Sequence, residues 1–318
     1  MKITILFATH NGAFTLPLMM ESIIHALLPE NCQLEIVAVC NACTDNSKAI
    51  LEGFRERLNL VIMNEPRPGK NIALNTGVKA VTGEAVLVVD DDIIVDVNWL
   101  VTYARLFREK TEHDIFGGAI NAHWIEAPPE GLTKAIPVEM AYALTSDDYT
   151  TGPIDATRLF GPNMAVRSSV FEEGTLFDEN IGPASDNKNY VTGSETEFLK
   201  RAQRKGHSAY FSEDCRVNHI VRPWQLTQAW LNNRAYKGGK STIEMVIGSN
   251  RTPPLVPTIL GYPRWTLYES LKLRLKITYK RLVGFENNEE KYRMYWDLYA
   301  KLGYSAQYKK HFKSGVIA

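Results

Sequence analysis

Along the first third of the chain, short β-branched runs alternate with stretches whose apolar residues recur at helical spacing. Lys2–Ala8, Gln33–Cys40, Asn59–Met63 and Ala85–Val89 read as strands. The last is apolar throughout, the pattern of a strand buried on both faces. Leu16–Leu28 has helical spacing and tolerates Pro17 in its first turn. A second helix is expected from the cap candidates Asp45, Asn46 and Ser47 to Leu58, a third over Asn71–Val81 and a fourth over Asn98–Arg108. This alternation predicts an α/β fold built on a doubly wound, mostly parallel sheet with flanking helices.

Farther along the pattern weakens. Asp114–Asn121 reads as a strand, whereas Leu132–Thr151 shows no clear period. Ser194–Lys205 is expected to be helical with Gly206 as its stop. Two short strands, Ser208–Phe211 and Arg216–Ile220, and a helix over Gln225–Tyr236 should follow. Arg251–Pro257 reads as a linker and 260–318 as mostly helical. The expected division is a domain over 1–245, in halves 1–110 and 111–245, and a helical C-terminal extension over 246–318. From Arg264 to Arg281 six basic residues and one acidic residue surround Trp265, Leu267, Leu271, Leu275 and Tyr279. Such a helix suits an anionic membrane surface or the flank of a larger domain, and both remain open.

The chemistry concentrates where Ala85–Val89 runs into Asp90-Asp91-Asp92. Open α/β sheets bind ligands at the carboxyl ends of their strands. In extended chain Asp90 and Asp92 point one way and Asp91 the other, so the outer pair can address one divalent cation, Mn2+ or Mg2+. The plainer alternative is a solvated acidic turn.

Composition narrows the classes further. Basic and acidic residues balance at 36 each, so bulk charge predicts no nucleic-acid partner. No apolar run reaches the length of about 18 residues that a membrane span needs. Met1–Ala8 reads as a first strand rather than a leader, which makes the cytoplasm the expected compartment. Cys40-Asn41-Ala42-Cys43 has the spacing of a redox pair, although small buried thiols explain it as well. No second pair of this kind completes a zinc site.

Several ordered motifs over about residues 2 to 240 together resemble the family-2 glycosyltransferases, the inverting group with the GT-A fold. They are Ala8-Thr9-His10-Asn11, Val39–Asp45, Pro68–Gly77, Asp90-Asp91-Asp92, Gly161–Arg167, Gly193–Phe198, Val217-Asn218-His219 and Arg234–Gly239. The chain departs from the family pattern at Cys40 and Cys43, which replace an Asp and a Ser, and at Ser194, which replaces an acidic residue.

The resemblance implies a donor half over 1–110 and an acceptor half over 111–245. It places Thr9, Asn11, Asn41, Lys70, Asp90 and Asp91 at the nucleotide sugar, and Asp90, Asp92 and His219 at the metal. Gly161, Asn163, Met164 and Arg234 fall at the acceptor, with Trp224 as an aromatic face for sugar stacking. Glu195 falls at the general base. Each has a plainer reading: Thr9, Asn11 and Asn41 as loop-formers, Lys70 as a solvated lysine, and His219 as a core histidine. Glu195 could serve only the helix dipole, and Trp224 and Trp230 could be packing residues. The implied activity moves a hexose or N-acetylhexosamine from a nucleotide diphosphate sugar, UDP-linked by expectation, to a hydroxyl of a glycan or lipid-linked acceptor. The rivals are a nucleotidyltransferase and a nucleotide-sugar-binding protein without catalysis.

Overall fold

The β-branched runs form strands where their spacing predicts them, and the computed structural model describes residues 1–186, 190, 192–247, 253 and 255–317. In chain order come β1 (Lys2–Thr9), α1 (Leu16–His25), β2 (Gln33–Asn41), α2 (Ser47–Glu52), β3 (Leu60–Glu65), α3 (Lys70–Val78) and β4 (Ala85–Val89). Next are β5 (Ile93–Val95), α4 (Trp99–Glu109), β6 (Ile115–Trp124), α5 (Leu132–Ala135), α6 (Val138–Tyr142), β7 (Gly152–Ile154) and β8 (Met164–Arg167). They continue with α7 (Ser168–Glu172), α8 (Ser194–Arg204), β9 (Ala209–Val221) and α9 (Gln228–Ile247). A hairpin of β10 (Thr258–Ile259) and β11 (Tyr262–Pro263) leads into α10 (Arg264–Val283) and α11 (Asn288–Lys313).

One sheet carries the strands in the order β3-β2-β1-β4-β8-β6-β9-β5, with β7 against β9. β3, β2, β1 and β4 are mutually parallel, the doubly wound portion that strand–helix alternation predicts. Beyond β4 the sheet turns antiparallel: β8 pairs with β4, and β5 with β9. All five residues of β4 are buried, as an apolar run in mid-sheet requires. Their neighbours in the core include Leu6, Val37, Leu74, Met164, Phe198 and Phe211. Each such side chain contributes about 1.5–3 kcal/mol relative to exposure.

Three elements differ from their expected extents. α2 stops at Gly53 instead of running to Leu58, because glycine is a poor helix former. The two short strands expected over 208–220 are one strand, β9. α9 begins after a tight turn at Pro223–Leu226 and continues through Gly238-Gly239 to Ile247. The glycines serve packing there. A Cβ on Gly239 would strike the carbonyl of Ala300, and one on Gly303 that of Tyr236, so bare backbone lets α9 and α11 touch.

The contacts divide the chain into two units. The first comprises Met1–His123, Ala143–Lys188 and Ser194–Ile220; the second comprises Trp124–Tyr142, Asn189–Gly193 and Val221–Ala318. The boundary expected at 245/246 lies inside the second unit, because α9 packs on α11 rather than standing with the sheet. Residues 251, 252 and 254 of the expected linker lie outside the described residues. Among the described residues no helix is long and apolar enough to cross a membrane.

Candidate active site

β4 delivers Asp90-Asp91-Asp92 to the carboxyl edge of the sheet, and the chain pairs again at once as β5, whose Ile93 lies opposite His219 of β9. The Ile220 amide donates to the Asp92 carbonyl at 2.7 Å, which fixes the acidic rim from its second side. Asp91 turns away to accept a hydrogen bond from the Thr9 hydroxyl. Asp90, Asp92 and His219 each offer one ligand atom, all within 4.8 Å of one another. His219 Nε2 stands 3.1 Å from Asp92 Oδ1. Two hard carboxylate oxygens and one imidazole are a donor set that could hold a divalent cation such as Mn2+ or Mg2+.

Lys70, first residue of α3, joins this rim to α8. Its ammonium donates to Asp90 Oδ1 and to Glu195 Oε1, each at 2.6 Å. Gly69 and Lys70 are held in place by hydrogen bonds at 2.9 Å, from the Gly69 amide to Asn41 Oδ1 and from the Lys70 amide to the Pro183 carbonyl. Glu195 sits in the first turn of α8, where a carboxylate is favoured by the helix dipole. Its side chain lies over Gly161, where a Cβ would stand 2.5 Å from Glu195 Oε1. Glu197, two residues on, is instead paired with Arg201 along the helix face.

The charges do not balance. One ammonium serves Asp90 and Glu195 while Asp92 adds a third carboxylate beside them. Two like charges about 4 Å apart repel by about 4 kcal/mol at an effective dielectric of about 20. Burial, with Asp92 and Glu195 nearby, pushes the Asp90 carboxyl above its ordinary range despite Lys70. Burial also opposes the charge on Glu195, but the Lys70 ammonium outweighs it and holds Glu195 low. The two carboxylates raise the pKa of Lys70 against its own burial. The site therefore keeps an ionised Glu195 next to a rim of crowded carboxylates.

The family model described as "Glycosyl transferase family 2" matches residues 4–175. The chain belongs to glycosyl transferase family 2. It is 23% identical over 212 residues, 65% of this chain, to the glucosyl-dolichyl phosphate glucuronosyltransferase of Haloferax volcanii. It is 21% identical over 221 residues, 67% of this chain, to the succinoglycan biosynthesis protein ExoM of Rhizobium meliloti. The matches span about two thirds of those relatives' lengths, 66% and 65%. Among solved structures it resembles the mannosyltransferase PcManGT of Pyrobaculum calidifontis in complex with GDP-Man and Mn2+, at TM-score 0.59 and 17% identity. That likeness covers 96% of this chain and 85% of that one. The S. aureus TarS fragment 1-349 in complex with UDP-GlcNAc aligns at TM-score 0.54 and 14% identity, covering 99% and 92%. These likenesses establish the GT-A fold.

Against the family-2 pattern, the residues expected at the nucleotide sugar, the metal and the base divide into two kinds. Asp90, Asp92, Lys70 and Glu195 converge as described. Thr9 is buried and spends its hydroxyl on Asp91, and Asn11, at a positive φ of 55°, accepts from the Thr44 amide at 2.8 Å. Asn41, expected at the nucleotide sugar, makes internal hydrogen bonds. Its amide donates to the carbonyls of Glu65 and Arg67 at 3.2 and 2.7 Å and accepts from Gly69, so it shapes the loop that leads into Lys70. The C-x-x-C lies on this floor, with the Cys43 thiol 3.2 Å from the Thr9 carbonyl. A hydrogen bond from Cys40 brings the Cys43 pKa down to about 6, and the same partner raises Cys40.

Three residues expected at the acceptor have internal partners or are buried. Asn163 is 1% exposed: its oxygen accepts from Trp99 Nε1 and the Tyr103 hydroxyl, and its nitrogen donates to the carbonyls of Ala119 and Cys215. Every valence of that amide is used inside the core. Met164 is fully buried in β8. Arg234 donates to the carbonyls of Met140 and Ala141, bracing α9 against α6 within the second unit. Trp224, also in that unit, is half exposed, with the Arg222 guanidinium 5.6 Å from its ring. Trp230 stacks on Tyr142 at 5.3 Å.

Sequence reasoning missed β5 and the bridging role of Lys70. Three residues are too few to show a period, and no spacing rule brings positions 70 and 195 together.

Proposed function

We propose that this protein is an inverting glycosyltransferase that moves a hexose or N-acetylhexosamine from a nucleotide diphosphate sugar to a hydroxyl of a glycan or lipid-linked acceptor. The observation that carries the reading is the position of Lys70, 2.6 Å from both Asp90 and Glu195. This supports a reading in which Asp90 and Glu195 serve one site. Asp90, Asp92 and His219 would hold Mn2+ or Mg2+, which supplies positive charge to the diphosphate as it leaves. Lys70 adds a fixed positive charge beside that group. Glu195, ionised by its lysine neighbour, takes the proton of the incoming hydroxyl as it attacks, and one displacement with one base inverts the anomeric centre.

The lipid-linked acceptor is supported by the Haloferax relative, whose name specifies a glucosyl-dolichyl phosphate. The donors named for similar structures, UDP-GlcNAc and GDP-Man, set the first compounds to try, with UDP-linked sugars leading. Incubating the protein with a panel of nucleotide sugars and Mn2+ should reveal slow release of a nucleoside diphosphate from one donor. Binding of a donor without turnover, with acceptor glycans supplied, would instead make this chain a nucleotide-sugar-binding protein.

A further inference from the structure

α10 has two faces with opposite characters. Inward, the Thr266 hydroxyl lies 2.9 Å from that of Ser305, and Ile277 is buried with Met294, Tyr295 and Leu298 of α11. Outward stand Tyr268, Leu271, Leu275, Tyr279 and Leu282, from 58% exposed at Leu271 to 82% at Leu282. Their intervals of three, four, four and three residues put them on one stripe of a 3.6-residue helix, opposite the buried Thr266, Ser270 and Ile277. At the same pitch Lys272 and Lys276 fall along one margin of the stripe, and Arg274 and Arg281 along the other. The helix thus docks on its neighbour and still keeps a second, exposed apolar face.

The margins carry net positive charge. Lys276 and Lys280 lean on Glu290, and Arg281 donates to the Tyr295 hydroxyl. Arg264, Lys272 and Arg274 make no ion pair among the described residues. Contiguous exposed apolar surface of this kind marks a binding face. A two-fold contact with a second copy would bring the same basic margins against each other, which disfavours that occupant. A lipid leaflet answers both features at once, with acyl chains to receive the stripe and anionic headgroups to meet its margins.

We propose that the outer face of α10 is a docking surface for an anionic membrane. Leucines at 271, 275 and 282 enter the leaflet while Tyr268 and Tyr279 lie at headgroup level, and the basic margins pair with lipid phosphates. The surface is built within the second unit.

The test is co-sedimentation of the full chain with vesicles of phosphatidylcholine, alone or mixed with phosphatidylglycerol. Binding is expected on the mixed vesicles at low salt and should fall at least tenfold at about 1 M salt, where the Debye length shrinks to about 3 Å. Lys272→Glu with Arg274→Glu should release the protein from mixed vesicles at low salt, because each basic group at a charged surface is worth about fivefold. Leu271→Ser with Leu275→Ser should also lower binding at least tenfold. These outward positions leave packing alone, so the melting temperature and donor hydrolysis of each variant should match wild type. Equal binding to both vesicle types, or none to either at low salt, would overturn the proposal. So would a wild-type dimer in sedimentation velocity that the leucine variant dissolves.

Discussion

Two buried carboxylate clusters sit at opposite ends of the same parallel strands. At the amino end, Glu35 of β2 is 5% exposed and accepts from the hydroxyls of Thr4 and Thr82, the Thr82 amide and the Lys2 ammonium. Burial opposes its charge, yet these donors bring its pKa down to about 2. At the carboxyl end, Asp90 and Glu195 share the ammonium of Lys70, Asp92 stands beside them against His219, and burial with the neighbouring carboxylates drives the Asp90 pKa up. The residue types are alike. What differs is whether the protein itself supplies enough positive charge and donors. Glu35 is surrounded by donors that tie β1 and β2 to Thr82, whereas at the Asp90 rim carboxylates crowd one another, an arrangement that suits a bound cation.

The comparison can be broken most forcefully at Glu195. Glu195→Gln keeps size and hydrogen bonding but removes the base, and transfer should fall about 10²–10⁴-fold with donor binding retained. Wild-type rates in a steady-state assay would move the base elsewhere.

Lys70→Met should lower stability by about 1–3 kcal/mol, because it leaves two half-buried carboxylates without their ammonium. Added Mn2+ should recover part of the loss in a thermal melt. A Mn2+-insensitive melt would mean that the surplus charge is not addressed by a cation.

Glu35→Gln should cost about 1–3 kcal/mol in denaturant unfolding, with activity per folded molecule and the Mn2+ response unchanged. The sign with pH follows from its lowered value. The folded pKa of about 2 lies below the unfolded value, so the stabilisation is complete above pH of about 4.3 and fades as pH falls toward 2. The variant should show a flatter stability profile across that window. An unchanged profile would remove Glu35 from the account of acid stability.

The smallest effect concerns the floor of the donor loop. Alkylation of Cys43 by iodoacetamide should accelerate as pH rises through about 6, below the ordinary thiol range, because Cys40 stabilises its thiolate by a hydrogen bond. A midpoint near 8.5 would instead describe an unassisted thiol.

These residues also mark how far the sequence could be read. The carboxylates were legible because a buried run ending in Asp90-Asp91-Asp92 has one plain structural meaning and alternation separates Asp91 from its neighbours. Lys70 and Glu195 could be nominated singly, but their meeting depends on α3 and α8 reaching one edge of the sheet, a tertiary fact with no local period. The internal roles of Asn41 and Asn163 were hidden for one reason. A polar amide in a motif looks like a ligand contact, and only the fold reveals that four internal partners consume Asn163. The outer stripe of α10 was visible as spacing, but its exposure was not.

The contrast between the two carboxylate sites is tested most directly by titrating Mn2+ into wild type, Asp92→Asn and Glu35→Gln in a calorimeter with UDP present. Wild type and Glu35→Gln should bind one equivalent with matching heats, and Asp92→Asn should bind at least tenfold more weakly. Equal binding by all three would contradict the claim that the rim at Asp90 and Asp92 holds the cation.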